Sequence, residues 1–151
     1  MSDVSSSSDL DQRVDPAAHH VGITVHDLDR AVEFYGEVLG FGELDRFTVS
    51  GSEFASAIDV EGATGTFAHL DAGGTRLELI EYEPEGESIP TEKINGPGAT
   101  HLGLSVANIE DFYESLPDAI ETLNEPQTTE SGSTILFVRD PENNLVELIE
   151  T

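Results

Sequence analysis

The chain repeats two short motifs, and this internal repeat constrains the fold more than any other feature. Residues 20–25 read His-Val-Gly-Ile-Thr-Val, and residues 101–106 read His-Leu-Gly-Leu-Ser-Val. The tetrapeptide Glu-Leu-Ile-Glu occurs unchanged at residues 78–81 and 147–150. A repeat of this kind indicates two copies of one supersecondary unit that bury a shared core.

Both copies show the same order of predicted elements. Each opens with a strand whose apolar and small or polar residues alternate, such as Val21, Ile23 and Val25 in the first copy. A capped helix follows, with Asp27 or Asn108 as the N-cap. The remaining strands of the two halves are predicted at 47–49, 54–60, 66–70, 76–82, 134–138 and 145–149. The sequence therefore predicts an α+β fold of two tandem βαβββ modules.

The repeat also predicts how the chain is divided. Residues 1–16 are rich in Ser and Asp without periodicity, as in a flexible tail. The N-terminal module is expected at 17–82 and the C-terminal module at 98–151. Residues 83–97, rich in Pro and Gly, are predicted to link them.

Composition excludes several classes of function. There are 31 Asp and Glu against 6 Lys and Arg, a net charge of −25, which repels nucleic acid and anionic membranes. The absence of Cys excludes a disulfide framework, a thiolate zinc site and a thiol nucleophile. No membrane-length apolar run or signal peptide is visible, so we expect a cytoplasmic protein. So acidic a surface, with a single Lys, resembles proteins of salt-loving organisms.

Four repeated side chains form the candidate site. His20 and His101 share a strand face with small residues, while Glu78 and Glu147 interrupt otherwise apolar strands. A carboxylate in such a strand is costly unless it is paired or binds a cation. Taken one at a time, each His could be a hydrogen-bonded structural residue and each Glu could face solvent. Their joint recurrence favours a divalent metal, since imidazole and carboxylate suit one.

With these repeated residues, the chain resembles a known superfamily. The resembling segments are 20–29, 31–41, 77–79, 98–106 and 140–148, which span most of the chain after residue 16. They are similar to the vicinal oxygen chelate superfamily, which includes glyoxalase I, methylmalonyl-CoA epimerase, extradiol dioxygenases and bleomycin resistance proteins. The resemblance implies paired βαβββ modules that form a cupped mixed sheet around a metal.

The same resemblance implies a site and a reaction. The family's ligand places fall on His20, Glu78, His101 and Glu147, the pattern of bacterial-type glyoxalase I, with Ni, Co, Mn, Fe or Zn as the bound ion. It implies a lyase or isomerase that moves a proton through a metal-bound enediolate on a small hydroxycarbonyl or thiol-adduct substrate. Glu147 is the first choice for the base and Glu78 the second. The alternatives are a non-catalytic, resistance-type binding protein, an epimerase and a dioxygenase.

Other polar residues give weaker indications. His69 is predicted to lie within a strand, where it could line the cup, and Arg76 shares strand parity with Glu78, where it could contact an anionic substrate group or form a surface ion pair. His19 is expected to point away from His20, and His26 is expected in an exposed turn. A homodimer is expected, because a single cupped sheet leaves strand edges that need covering.

Overall fold

Secondary structure follows the repeat. The protein, seen here as a computed structural model, is described over residues 15–89 and 93–151. Its strands are β1 Val21–Thr24, β2 Gly42–Val49, β3 Thr64–Asp71, β4 Arg76–Glu83, β5 His101–Ser105, β6 Gln127–Thr128, β7 Thr134–Arg139 and β8 Leu145–Glu150. Its helices are α1 Leu28–Glu33, which continues into a π-helical turn at Phe34–Val38, α2 Ser52–Ile58 and α3 Ile109–Ser115.

The eight strands form two sheets with the same topology. The N-terminal sheet has the order β1-β4-β3-β2, and the C-terminal sheet has the order β5-β8-β7-β6. The first strand of each module runs parallel to its neighbour, β1 to β4 and β5 to β8, and the other pairings are antiparallel. Both sheets are therefore mixed, and β1 and β5 are outer strands. The prediction of an α+β fold with two modules is confirmed.

One predicted strand is wrong. Residues 54–60 were expected to be extended, but Ser52–Ile58 forms helix α2, which adds a helix to the N-terminal module. Ala55 and Ala57 favour a helix, and Phe54 and Ile58 lie four residues apart on one side of it. Asp59, with a φ of 57°, ends the helix in the left-handed conformation.

Alternation along the strands separates a core face from an open face. Leu77 and Leu79 of β4 are fully buried, as are Val146 and Leu148 of β8. These side chains belong to one continuous apolar cluster that also contains the inner face of α1 and draws on both modules. The intervening residues, including Glu78 and Glu147, therefore lie on the sheet faces opposite this core.

The repeated Glu-Leu-Ile-Glu tetrapeptide also caps a helix in each module, a role that was not predicted from the sequence. Its last residue, Glu81 or Glu150, accepts a 2.8 Å hydrogen bond from the first backbone N–H of the helix in its own module, at Leu28 or Ile109. The predicted caps are confirmed as well, because the side chains of residues 27 and 108 accept bonds from the backbone N–H three residues on. Each final strand thus holds the helix that follows the first strand.

Polar contacts tie the two halves together. The buried Tyr35 hydroxyl donates to Asp140 Oδ2 at 2.8 Å. The Glu142 carboxylate accepts from the backbone N–H groups of His26 and Asp27 at 2.5 and 2.7 Å.

The predicted linker at 83–97 lies between β4 and β5, and its residues 90–92, like residues 1–14 of the predicted tail, lie outside the described residues. No helix in the described ranges is long and apolar enough to cross a membrane.

Candidate metal centre

The N-terminal half of the candidate site is built on β1 and β4. The parallel register places Gly22 beside Glu78, and the absent side chain leaves room for His20, which lies two residues before Gly22. His20 Nε2 lies 3.3 Å from Glu78 Oε1. The Glu78 side chain is 12% exposed and that of His20 is 35% exposed, so the pair opens to the outside through the imidazole.

His69 joins this pair through the other carboxylate oxygen. It lies directly across from Glu78 in the β3–β4 ladder, and its Nε2 is 2.7 Å from Glu78 Oε2. Its other nitrogen, Nδ1, lies 3.4 Å from Arg76 Nη1. His69 therefore lies on the same face of the sheet as Glu78. Its contact with Glu78 could have been found from strand parity once β3 and β4 were known to be neighbours.

The C-terminal half repeats the pair with a different neighbour. Gly103 lies beside Glu147 in the β5–β8 register, and His101 Nε2 lies 3.1 Å from Glu147 Oε1. Across the ladder from Glu147 stands Phe137, whose ring packs edge-to-face on His101 at 5.2 Å. The Glu147 side chain is 21% exposed.

Within each pair, the distance between the His nitrogen and the Glu oxygen is that expected of two ligands bound to one ion. Two donor atoms at about 2.1 Å from a metal are about 3.0 Å apart in octahedral and about 3.4 Å apart in tetrahedral geometry. The two His–Glu distances, 3.3 and 3.1 Å, fall in this range. The donor types, imidazole and carboxylate, also suit a divalent ion. Each half therefore fits as one side of a coordination shell.

The four side chains do not meet in one place in the single chain. Within residues 15–89 and 93–151, no group of three or more His, Asp or Glu side chains is arranged to hold a metal ion. A cavity of about 520 Å³ lies along the outer strands β1 and β5. Of the four candidate ligands, only His101 lines it. The structure thus brings the candidate residues together as two separate pairs.

Arg76 differs from the other described arginines in the partner of its side chain. Among the arginines of the described chain, Arg30, Arg46 and Arg139 each form an ion pair with a carboxylate at 2.6–3.9 Å. Arg76 forms no such pair with any described residue, although the chain carries 31 acidic side chains. The expected surface ion pair is therefore not seen, and its one polar contact is with His69.

A cluster of aromatic side chains packs beside His69. The rings of Phe47 and Phe67 stack at 5.2 Å, and Phe47 contacts His69 edge-on at 5.1 Å. Helix α2 adds Phe54, which packs against Phe67 and Tyr82. Burial, and after it the negative charge of Glu78, raises the pKa of Tyr82. The place of Phe54 in this cluster was missed because the segment that carries it was expected to be a strand.

The remaining histidines lie outside the pairs. His26 is exposed, as expected, and its Nδ1 lies 2.7 Å from Glu85 Oε1, a bond that raises the pKa of His26. His19 does not point away from His20 as predicted. Its Nδ1 lies 2.7 Å from the Nδ1 of His20. Both residues precede β1, so their side chains do not alternate between the two faces of the sheet as residues within a strand do.

The chain is similar in sequence or in fold to several known proteins. A 2-epi-5-epi-valiolone epimerase from an Actinomyces species is 36% identical over 123 residues, which cover 77% of this chain and 67% of that protein. The lactoylglutathione lyase of Schizosaccharomyces pombe is 26% identical over 142 residues, 87% of this chain but only 46% of the yeast protein. A glyoxalase family protein of Bacillus cereus has a crystal structure that shares the fold, with a TM-score of 0.80 at 22% identity over 92% of this chain and 96% of that one.

The family itself is shown by the sequence as a whole. The profile of the Glyoxalase/Bleomycin resistance protein/Dioxygenase superfamily matches residues 17–148, which includes both modules and all four candidate ligands. The duplicated module, the sheet order and the repeated His–Glu pairs agree with that match. The chain belongs to the Glyoxalase/Bleomycin resistance protein/Dioxygenase superfamily.

Proposed function

We propose that the protein is a divalent-metal-dependent enzyme, a lyase or isomerase resembling glyoxalase I, that moves a proton on carbon beside a carbonyl group. The observation that carries this proposal is the presence, once in each module, of a His–Glu pair at ligand spacing. The names of the lyase and epimerase relatives add support.

The proposed division of labour uses the four paired side chains and Arg76. His20, Glu78, His101 and, in the absence of substrate, Glu147 would hold the ion, and the bound ion would supply a Lewis acid that stabilises negative charge developing on the substrate. Glu147 takes the proton from carbon and returns it to carbon. Glu147 suits this part better than Glu78, because its side chain is more exposed, 21% against 12%, and contacts one imidazole instead of two.

Arg76 supports a substrate class. It is a guanidinium without a carboxylate partner among the described residues, on the same strand and face as Glu78. An anionic group on a small hydroxycarbonyl, such as a carboxylate or phosphate, would pair with it bidentately. In a chain of net charge −25, a substrate anion needs such a local cation.

We further propose that a homodimer assembles the site. The two His–Glu pairs stand apart in one chain, and each lies at an outer strand, β1 or β5. An outer strand offers unpaired backbone groups to a second copy of the chain. Under two-fold symmetry, the N-terminal pair of one subunit can face the C-terminal pair of the other, and two complete sites result.

Metal content and proton exchange test the enzyme. We expect about one Co²⁺, Ni²⁺, Mn²⁺, Fe²⁺ or Zn²⁺ per chain in the wild type, a strong loss in His20→Ala and His101→Ala, and no loss in the control His26→Ala. With metal bound, hydroxycarbonyls, hemithioacetals and cyclic ketones should exchange carbon-bound hydrogen in D₂O, as followed by NMR. Glu147→Gln should keep the fold and lose this exchange. Tight binding of such compounds without exchange would instead identify a binding protein.

Mixing two inactive variants tests the shared site. His20→Ala is defective in the N-terminal pair and His101→Ala in the C-terminal pair. If each site takes one pair from each subunit, a mixed dimer contains one doubly defective site and one intact site. Random exchange of equal amounts should then restore about a quarter of the wild-type sites. No recovery after subunit exchange, verified with differently tagged chains, would refute the shared site.

A further inference from the structure

The two halves of the candidate site differ at one position. In both, a His directly before or at the start of the first strand contacts a Glu on the last strand, at 3.3 and 3.1 Å. The ladder position opposite the Glu is His69 in the N-terminal half and Phe137 in the C-terminal half. Phe137 has no polar atom to offer Glu147. The duplicated halves therefore provide an internal comparison of a carboxylate with and without a second polar neighbour.

Hydrogen-bond direction around His69 is set by Arg76. A guanidinium can only donate, so the 3.4 Å contact with Arg76 Nη1 makes His69 Nδ1 an acceptor. A neutral imidazole with Nδ1 as acceptor carries its proton on Nε2. Nε2 then donates to Glu78 Oε2 at 2.7 Å. The chain Arg76, His69, Glu78 is a consistent series of donor and acceptor atoms.

We propose that His69 is a positioning residue that holds Glu78 as the fixed carboxylate of the site. This inference rests on the metal-dependent function proposed above. By occupying Oε2, His69 leaves Oε1, the oxygen that lies 3.3 Å from His20 Nε2, to bind the ion. Hydrogen bonds to the far side of a ligand orient it and strengthen its binding.

Burial makes this contact stronger and separates the two carboxylates in function. The His69 side chain is 9% exposed and that of Glu78 is 12% exposed, so little water competes for Oε2. Glu147, with Phe137 opposite, has no second imidazole on its carboxylate among the described residues. The difference at one ladder position thus accounts for one Glu that stays bound and one that moves a proton.

Co²⁺ affinity of the apoprotein tests the inference without any substrate. His69→Phe, which copies the C-terminal half, should weaken Co²⁺ binding about 10- to 100-fold. His69→Gln should restore most of the affinity, because the Gln amide nitrogen can donate from nearly the same place as Nε2. His26→Phe, the same substitution at an exposed His outside both pairs, is the matched control and should leave the affinity unchanged. If His69→Phe fails to fold, as judged by circular dichroism, His69→Gln against His69→Leu makes the same comparison.

A double-mutant cycle separates positioning from general support of the fold. The loss caused by His69→Phe should shrink strongly in a Glu78→Gln background and persist in a Glu147→Gln background. The same loss in both backgrounds, or Co²⁺ binding unchanged by His69→Phe, would overturn the inference while leaving the proposed function standing. A wild-type protein that binds none of the tested ions would refute the proposed function itself.

Discussion

The contact between the two modules can be tested at a single oxygen atom. Tyr35 is fully buried, and its hydroxyl donates to Asp140 Oδ2 at 2.8 Å across the junction of the two halves. Replacing Tyr35 by Phe removes this donor and leaves the ring packing in place. A hydrogen bond to a charged group contributes about 1.5–3 kcal/mol to stability. The carboxylate of Asp140 keeps three other donors, from the backbone and side chain of Asn144 and the backbone of Glu142. We therefore expect a loss of about 2 kcal/mol.

Urea unfolding at neutral pH in molar KCl measures this loss. Tyr113→Phe is the control, because the Tyr113 hydroxyl makes no hydrogen bond within the described chain, and it should change the free energy of unfolding by less than about 0.5 kcal/mol. A loss below about 0.5 kcal/mol for Tyr35→Phe would refute the argument that this bond stabilises the junction.

The same pair predicts a dependence on pH. Burial, and after it the charge of Asp140, raises the pKa of Tyr35 well above its usual range. The unfolded chain releases the Tyr35 proton above about pH 10 while the folded chain keeps it, so this stabilisation is complete below pH 10 and is lost as the pH rises further. The difference in the free energy of unfolding between the wild type and Tyr35→Phe should decrease by about 1.4 kcal/mol per pH unit above pH 10. A gap that stays constant into the alkaline range would contradict the raised pKa.

Three further predictions concern stability. Glu81→Ala and Glu150→Ala each remove a helix cap and should each cost about 1 kcal/mol in urea unfolding, and no change in either would show that these bonds are dispensable. Gly65→Ala places a methyl group 2.8 Å from the Phe67 ring and should cost about 1–3 kcal/mol, while Gly42→Ala, with nothing within 4 Å, should be nearly neutral, and equal losses would contradict the packing argument. The melting temperature should rise between about 0.1 and 1 M KCl, where the Debye length falls from about 10 to 3 Å, and a flat profile would show that the charge of −25 is not destabilising.

Much of the fold could be predicted because the repeat and the strand alternation report local physics. The alternation that placed Ile23 and Val25 inside also placed Gly22 on the opposite face, beside Glu78. Helix α2 could not be read in the same way, since Phe54 and Ile58 satisfy a strand pattern nearly as well as a helical one over so few residues. The left-handed turn at Asp59 that ends the helix has no distinctive residue signal.

Some contacts of the candidate site could be predicted and others could not, because the residues involved are separated by different distances along the chain. Each His–Glu pair follows from one parallel strand pairing inside one module, so the repeat was enough to find it. The relative position of the two pairs depends on packing between modules and, in the proposed homodimer, on a second copy of the chain. Neither leaves a periodic signal in the sequence. His69 lies between these cases, because its role emerges only from the β3–β4 register.

The charge of the chain and the chemistry of the site support one another. A net charge of −25 raises the local concentration of divalent cations around the protein and opposes the approach of anions. Capture of the proposed metal would therefore benefit from the whole surface, whereas an anionic substrate would have to be attracted by a contact that acts at short range. Arg76 can provide that contact, because no described carboxylate neutralises it and His69 holds it beside Glu78. In concentrated salt, where charges further apart than about 3 Å are screened, contacts of this kind are the ones that persist. A chain with this composition is thus expected to recognise its substrate by adjacent groups on one strand face rather than by a long-range field.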